Sequence, residues 1–143
     1  LSLLERVFEP ELRDLRTLLE DDRSAEERLL IYVTRAAEDI QNMLDWMSLI
    51  YEFLVLAFRR ETIKKFIRNF YKRNMDLLES LIQQGIDAGE FQVNNAQETA
   101  IAVGSIIEGT IMLWMYDPDT IDLTKHIQGS TQLLLKGLRP SQE

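Results

Sequence analysis

The segment "LIQQGIDAGEF", residues 81–91, ends the longest helical run in the sequence. Apolar residues recur in it at helical spacing as far as Ile86, so the helix is expected to continue at least to that point. Gly89 stands where a glycine in the left-handed backbone conformation commonly closes a helix, and Phe91 can then fold back onto the helix end. Gly85 precedes this end, and we interpret it as a point of close approach by another part of the chain. The segment therefore predicts a long helix with a defined end.

Helical periodicity extends from this segment in both directions, and no stretch shows the alternation of apolar and polar residues that is typical of strands. We therefore predict an all-α fold, a bundle of about six helices. Five of them are expected over the ranges 1–19, 43 or 44 to 60, 61–88, 96–116 and 122–137. The second helix begins at a capping box formed by Ser24 and Glu27, and its apolar face is expected to be Leu30, Val33, Ala37 and Ile40.

Three helices carry further signals. Pro10 removes a backbone donor from the first helix and predicts a kink or a restart there. The third helix is apolar around most of its circumference, so we expect it to be buried and central. Asp122 is expected to cap the sixth helix. The predicted apolar stripe of the first helix is Leu4, Phe8, Leu12, Leu15 and Leu19.

Composition and charge limit the possible functions. The 143 residues are enough for one domain, and 16 Lys and Arg against 24 Asp and Glu give a net charge of −8. A nucleic-acid-binding face is normally basic, so these residues alone are not expected to hold DNA. The sequence opens with Leu1 and shows no secretory signal, so we expect a cytoplasmic protein that extends further upstream.

Catalytic and metal chemistry have few candidate residues. The sequence has no Cys, and its single histidine is His126. Asp122 and His126 lie four residues apart, a spacing that is more typical of a solvated helix face than of a metal site. No Gly-rich phosphate loop is present. We therefore expect no enzymatic activity, no metal site and no cofactor.

The stretch "TAIAVGSIIEGTIMLWMY", residues 99–116, is apolar on every side of the helix that it predicts. A membrane span is not expected, because the stretch is barely long enough and Glu108 lies at its centre. Such a helix has to be covered from every direction. Either a second copy of the chain packs on its small residues Ala102, Ser105 and Gly109 in a symmetric dimer, or the helix is fully internal in a monomer.

Glu108 is the single charged residue between Thr99 and Asp117. A buried carboxylate has to be paired, protonated or ligand-bound. It either orients a cationic or hydrogen-bonding ligand or pairs with an Arg or Lys of the same or a partner chain.

Aromatic and methionine side chains at helical spacing form either ordinary core or the wall of a small-molecule cavity. The candidates are Trp46, Met47, Tyr51, Phe70, Tyr71, Asn74, Met75, Glu108 and Met112.

Four strings, taken in their order along the chain, resemble the C-terminal regulatory domain of the tetracycline-repressor (TetR) family of bacterial regulators. They are "LLERVFEPELRDLRTLLED" at 3–21, "LIQQGIDAGEF" at 81–91, "AQETAIAVGSIIEGTIMLWMYDP" at 96–118 and "LLLKGL" at 133–138. The resemblance covers nearly the whole chain. Pro10 departs from the uninterrupted linking helix that the family pattern leads one to expect.

The resemblance implies that the chain is one of two domains in a longer protein. Residues 1–143 would be the regulatory domain, and 1–20 would belong to the helix that leads to an N-terminal helix-turn-helix domain. Operator DNA would be bound only through that absent domain. The last two helices would pair with those of a partner in a homodimer, so the expected interface residues are Ala102, Ser105, Gly109, Leu113, Ile127, Thr131 and Leu134.

The function implied by the resemblance is effector sensing and dimerisation in a regulator, expected to be a repressor. A small, largely apolar ligand would modulate its DNA affinity, and no membrane partner is expected. The ligand is expected to contact Trp46, Met47, Tyr51, Phe70, Asn74, Glu108 and Met112. The alternative is an all-α homodimeric interaction or adaptor module with no small-molecule pocket.

Overall fold

A computed structural model describes residues 2–141, apart from the side chains of residues 2–4, 7, 8 and 11. Within that range the chain forms six α-helices and no strand, which confirms the predicted all-α fold. The helices are α1 (Ser2–Leu19), α2 (Ala25–Gln41), α3 (Leu44–Ala57), α4 (Glu61–Asp87), α5 (Ala96–Tyr116) and α6 (Leu123–Leu138).

The end of α4 has the geometry that its sequence predicts. Gly89 is left-handed, with a φ of 76°, and the backbone amides of Glu90 and Phe91 donate to the carbonyl of Gly85 at 2.9 and 3.2 Å. Phe91 is buried. A Cβ atom placed on Gly85 would lie 2.4 Å from the Phe91 ring and 3.0 Å from Cβ of Ala25. Gly85 is therefore a point of close approach inside the helix, as predicted.

Glu90 joins this helix end to the start of α2. Its carboxylate accepts hydrogen bonds from the backbone amides of Ala25 at 2.9 Å and Glu26 at 3.4 Å. The first amides of a helix lack partners within the helix, and a carboxylate near them is favoured by the helix dipole. The hydroxyl of Ser24 accepts from the amide of Glu27 at 3.1 Å, which confirms the predicted N-cap. Glu90 and Ser24 together fix where α2 begins.

Arg28 joins the end of α1 to the same junction. Its side chain is buried and donates to the carbonyl of Leu18 at 3.1 Å and to Oε1 of Gln84 at 2.6 Å. These two oxygen atoms, at the end of α1 and on α4, accept hydrogen bonds from the guanidinium group. The buried cation is tolerated because it is hydrogen-bonded in this way. Of the predicted apolar face of α2, Val33 and Ala37 are buried, whereas Leu30 and Ile40 are only half-buried.

α1 runs without a break through Pro10, so the expected restart does not occur. Its buried face includes Leu12, Leu15 and Leu18. The predicted stripe residues Leu4 and Phe8 lie outside the described side chains, and Leu1 lies outside the described residues.

The expectation that α3 is a central, buried helix is wrong. Its buried residues are Met47, Ile50 and Ala57, whereas Trp46 is 57% exposed and Val55 is 59% exposed. α3 packs mainly on α4. The apolar residues around α3 would allow other helices to pack on most of its sides. In the fold, however, neighbouring helices pack on only a few of these sides.

α6 buries the stripe that was predicted to meet a partner chain. Ile127 and Thr131 are 0% and 1% exposed, because α6 packs between α2 and α5 of its own chain. Gln128 donates to the hydroxyl of Thr34 on α2 at 3.0 Å. Ile127 and Thr131 are therefore not available to a partner in this fold, and Leu134 is half-buried.

Candidate functional site

A cavity of about 630 Å³ that is partly open to solvent lies among helices α1 to α5, all of which contribute to its wall. Its surface is mostly apolar, and the buried part includes Ala36, Met47, Ile50, Phe70, Leu78 and Ile111. Small-molecule sites are typically concave, mostly apolar and roughly 300–1,000 Å³ in volume. The cavity has the size and character of such a site.

Five of the seven residues predicted to contact a ligand line this cavity, namely Met47, Tyr51, Phe70, Asn74 and Glu108. Tyr71 and Met75, which belonged to the wider candidate set, line it as well. Their role as ligand contacts stays a prediction.

Trp46 and Met112 do not line the cavity. Each directly neighbours a lining residue, Met47 and Ile111 respectively, and adjacent residues on a helix point about 100° apart. Both side chains are therefore turned away from the cavity and are exposed to solvent.

Helices α1 and α2 contribute to the wall, although no lining residue was predicted on either of them. Arg6 and Pro10 line the cavity from α1, and Tyr32, Ala36 and Ile40 line it from α2. The spacing of four residues between Tyr32, Ala36 and Ile40 could have indicated a shared face. Nothing in the sequence of α1 indicates that Arg6 and Pro10 meet the same cavity.

Glu108 is half-buried on the cavity wall and is held by two tyrosines. The hydroxyl of Tyr71 donates to Oε1 of Glu108 at 2.8 Å, and the hydroxyl of Tyr51 lies 3.5 Å from Oε2. Burial raises the pKa of Tyr51, and the charge and hydrogen bonding of Glu108 raise it further. Tyr51 is thus kept in its neutral, donating form beside the carboxylate.

No Lys or Arg among the described residues lies within ion-pair distance of Glu108. The alternative in which Glu108 pairs with an Arg or Lys of its own chain is therefore not met within that part of the structure. A second polar pair lies nearby, where the hydroxyl of Tyr32 donates to Oδ1 of the buried Asn74 at 3.1 Å. The rings of Phe70 and Tyr71 are in edge contact, with centroids 5.6 Å apart.

The cavity opens between α1, α2 and α5. Its exposed lining residues are Arg6, Asp39, Asn42, Ile101 and Ser105, which lie on those helices or at their ends. Partial burial raises the pKa of Asp39, and the neighbouring carboxylates Asp14 and Glu38 raise it further. The opening therefore has an acidic border.

The outer face of α5 carries an exposed stripe, the α5 stripe, formed by Ile101, Ser105, Gly109, Met112, Leu113 and Tyr116. Leu113 is 60% exposed, and a Cβ atom on Gly109 would meet nothing within 4 Å. The alternative of a fully internal α5 is therefore wrong for this chain. Of the interface residues predicted on α5, Ser105, Gly109 and Leu113 belong to this stripe and Ala102 is half-buried.

Within residues 2–141, α5 is also the one helix that is long and apolar enough to cross a bilayer, judged by length and composition alone. It packs against α4 and α6 and carries Glu108 into the cavity wall. The core helix of a soluble protein has the same length and composition, so this feature is weak evidence for a membrane.

The chain matches a known family of protein domains. A family model described as "Tetracyclin repressor-like, C-terminal domain" matches residues 28–123, which is more than half of the chain. No curated protein matches the chain. The matched range contains every cavity-lining residue of α2, α3, α4 and α5.

Proposed function

Since the chain belongs to the tetracycline repressor-like C-terminal domain family, we propose that it is the effector-sensing and dimerisation domain of a bacterial transcriptional regulator. Domains of this family have a general role in ligand binding and dimerisation within regulators, and the family is not one of enzymes. Its regulators are soluble. The repressor role, the apolar effector and the cytoplasmic location are parts of the proposal.

The apolar cavity is the observation that carries this proposal. An interaction or adaptor module has no need of a largely apolar cavity of about 630 Å³, because a hollow among the helices forfeits packing contacts and weakens the fold. A cavity that admits a ligand regains those contacts on binding. The geometry therefore favours ligand sensing over the adaptor alternative.

The contribution of α1 to the wall suggests how occupancy is communicated. We propose that residues 1–20 connect this domain to an upstream DNA-binding domain. Arg6 and Pro10 line the cavity, so a ligand would contact the connecting helix directly. Because Pro10 has no backbone N–H, the hydrogen bond to the carbonyl of Arg6 is missing at this point, and bending there is less costly. A ligand that fits one position of α1 better than another shifts the equilibrium between them.

A thermal-shift screen with a cavity-filling variant tests the sensing role. A ligand that binds only the folded state raises the melting temperature. In Ala36→Leu the added side chain enters the cavity, so compounds that stabilise the wild type are expected to stabilise this variant much less. Ser48→Leu places the same new side chain at an exposed position of α3 outside the cavity and should respond like the wild type. Equal stabilisation of all three proteins would contradict binding in the cavity.

These 143 residues are expected to show no affinity for operator DNA. The net charge of −8 disfavours contacts to phosphates, and the proposed DNA-binding domain lies upstream. An electrophoretic mobility shift with the operator of the full protein tests this. Tight sequence-specific binding by the isolated domain would contradict the assignment.

We place the dimer contact on the α5 stripe and not on Ile127 and Thr131. The α5 stripe combines exposed apolar side chains with Gly109, a combination that allows two helices to approach closely. Leu133 on α6 is 71% exposed and is a further candidate. Ile101 and Ser105 belong both to the α5 stripe and to the opening of the cavity, so a partner seated here would border the ligand's entrance.

A further inference from the structure

Glu108 places a carboxylate on an apolar wall without a basic partner. Both of its oxygens face tyrosine hydroxyls, at 2.8 and 3.5 Å. A carboxylate offers about four acceptor positions, so two donors leave acceptor capacity unused. Within the described part of the chain no cation lies within 4.0 Å to compensate the charge. The structure therefore holds an anionic group in the cavity that the protomer only partly satisfies.

The charged residues along the cavity add to this imbalance. Among the described residues that line it, Asp39 and Glu108 are acidic and Arg6 is basic. Arg6 is exposed and forms no ion pair with either carboxylate. At the opening, Asp14 and Glu38 lie close enough to Asp39 to raise the pKa of its carboxyl group. Acidic groups at an opening raise the local concentration of cations and disfavour anions.

Aromatic side chains lie beside the carboxylate. Tyr51 and Tyr71 hold Glu108 through their hydroxyls, and Phe70 packs edge-on against Tyr71. A cation close to an aromatic ring is stabilised by the quadrupole of that ring, the more so when water is excluded. A carboxylate with tyrosine rings beside it is thus suited to a bulky organic cation whose charge is poorly hydrated.

We propose that the cavity selects an apolar ligand that carries one positive charge, of the substituted-ammonium class, with its charged group at Glu108. This inference rests on the proposed sensing function and adds the chemical class of the effector. Neutral apolar ligands lack the contact to the carboxylate, and anionic ligands are repelled by it. The remainder of the ligand fills the space between Ile50, Leu78 and Ile111.

Three probes that each combine one aromatic ring with an octyl chain and differ in charge test the proposal by calorimetry on the purified chain: benzyldimethyloctylammonium, benzyl octyl ether and 4-octylbenzoate. The ammonium probe is expected to bind at least about ten-fold more tightly than the ether, since its positive charge is attracted by the carboxylate and by the aromatic rings in a partly buried site. The benzoate should bind most weakly. This comparison needs no variant, so it does not depend on the folding of a mutant. Equal affinity for the ammonium probe and the ether overturns the charge preference.

Variants then locate the charge. Glu108→Gln keeps the size of the side chain but removes its charge, so it is expected to lower the affinity for the ammonium probe about ten-fold or more, while the affinity for the ether changes less than about two-fold. Glu52→Gln removes a charge from α3 outside the cavity and should change neither affinity. Unchanged ammonium binding by Glu108→Gln overturns the assignment to this residue.

The outcomes separate the two proposals. If the ether binds in the cavity as well as the ammonium probe, the sensing function stands and the charge class is wrong. If no probe of any charge binds and the screen with Ala36→Leu also finds no ligand, the proposed function fails with it.

Discussion

Gly85 is a residue at which three parts of the chain pack closely together. It lies inside α4, the ring of Phe91 folds back over it, and Ala25 at the start of α2 approaches from the other side. Glycine is usually unfavourable inside a helix by roughly 0.5–1 kcal/mol relative to alanine. Here the missing side chain is what allows Phe91 to be buried, so the cost in helix propensity is offset by packing.

Gly85→Ala is expected to destabilise the fold. The new methyl group would overlap the Phe91 ring, and overpacking of this kind costs about 1–3 kcal/mol, partly offset by up to about 1 kcal/mol of helix propensity. We therefore expect a net loss of about 1–2 kcal/mol in the free energy of unfolding, measured with urea. Gly104→Ala is the matched control, because its Cβ would meet only the flexible end of Met75, at 2.9 Å for Cε. Equal stability of the two variants would contradict the role of Gly85.

Asp39 gives the fold a pH dependence of the opposite sign to that of a salt-bridged carboxylate. Burial and the nearby Asp14 and Glu38 raise the pKa of Asp39 in the folded state, so the folded protein binds this proton more tightly than the unfolded chain. The charged form therefore destabilises the fold at neutral pH, and the penalty disappears as the pH falls below the ordinary pKa of about 3.8.

Asp39→Asn is expected to raise the melting temperature slightly at neutral pH and to leave it unchanged below about pH 3.8. The side chain is exposed, so the gain is at most about 0.5 kcal/mol. Thermal melts at both pH values, followed by circular dichroism, measure it. A variant that is equally stabilised at both pH values would show that the effect does not come from the charge.

At the scale of the helices, several polar contacts join the end of one helix to the start of another. Glu90 follows α4 and caps α2, while Arg28 near the start of α2 reaches the end of α1. Arg139 after α6 pairs with Glu26 near the start of α2 and lowers the pKa of that carboxyl group. The N-terminal end of α2 is therefore the junction at which α1, α4 and α6 are joined.

Glu90→Ala is expected to lower the free energy of unfolding by about 1 kcal/mol, which is typical for loss of a helix N-cap. The backbone amides of Ala25 and Glu26 lose the carboxylate that accepts from them. Urea unfolding measures the loss, with Glu52→Ala on the exposed face of α3 as control. If both variants lose the same small amount, the contact between Glu90 and α2 contributes little.

The features that could be predicted from the sequence are those encoded locally. Ser24, Asp122 and Gly89 signal helix ends through side-chain capping or backbone conformation, and all three do so in the structure. Which other helices pack against a given helix is not encoded locally. Periodicity identified the apolar circumference of α3 and the stripe of α6 but not the neighbours of either, so α3 is more exposed than expected and Ile127 is buried by α2 and α5.

The same limit applies to the cavity. The candidates predicted on α3, α4 and α5 were recognisable by their chemistry, such as the lone Glu108 and the aromatic side chains. Most of these candidates lie on the cavity wall. Arg6 and Pro10 arrive there only because α1 packs along α4, a tertiary contact that no local pattern reveals. The part of the wall that was missed is the part with the closest link to the proposed mechanism.

For the whole molecule, the cavity and the α5 stripe share a border. Ile101 and Ser105 line the opening of the cavity and also begin the α5 stripe. A second copy packed on the α5 stripe would limit how far the opening can widen, and a ligand that moves α5 would alter the dimer contact. By thermodynamic linkage, any effect of the ligand on dimer affinity is matched by an equal effect of dimerisation on ligand affinity.

Gly109→Leu tests whether the α5 stripe forms the dimer. A Cβ atom at this position meets nothing within 4 Å in the protomer, and leucine is a better helix former than glycine, so the helix content and the protomer fold are expected to be unchanged. Against a closely approaching partner helix the larger side chain would clash, and the dimer dissociation constant should rise at least about ten-fold. Sedimentation velocity measures it, with Ser80→Leu on the exposed face of α4 as the control. If Gly109→Leu remains as dimeric as Ser80→Leu, the interface does not lie on this face of α5. If the wild type is monomeric, the proposed dimer is wrong.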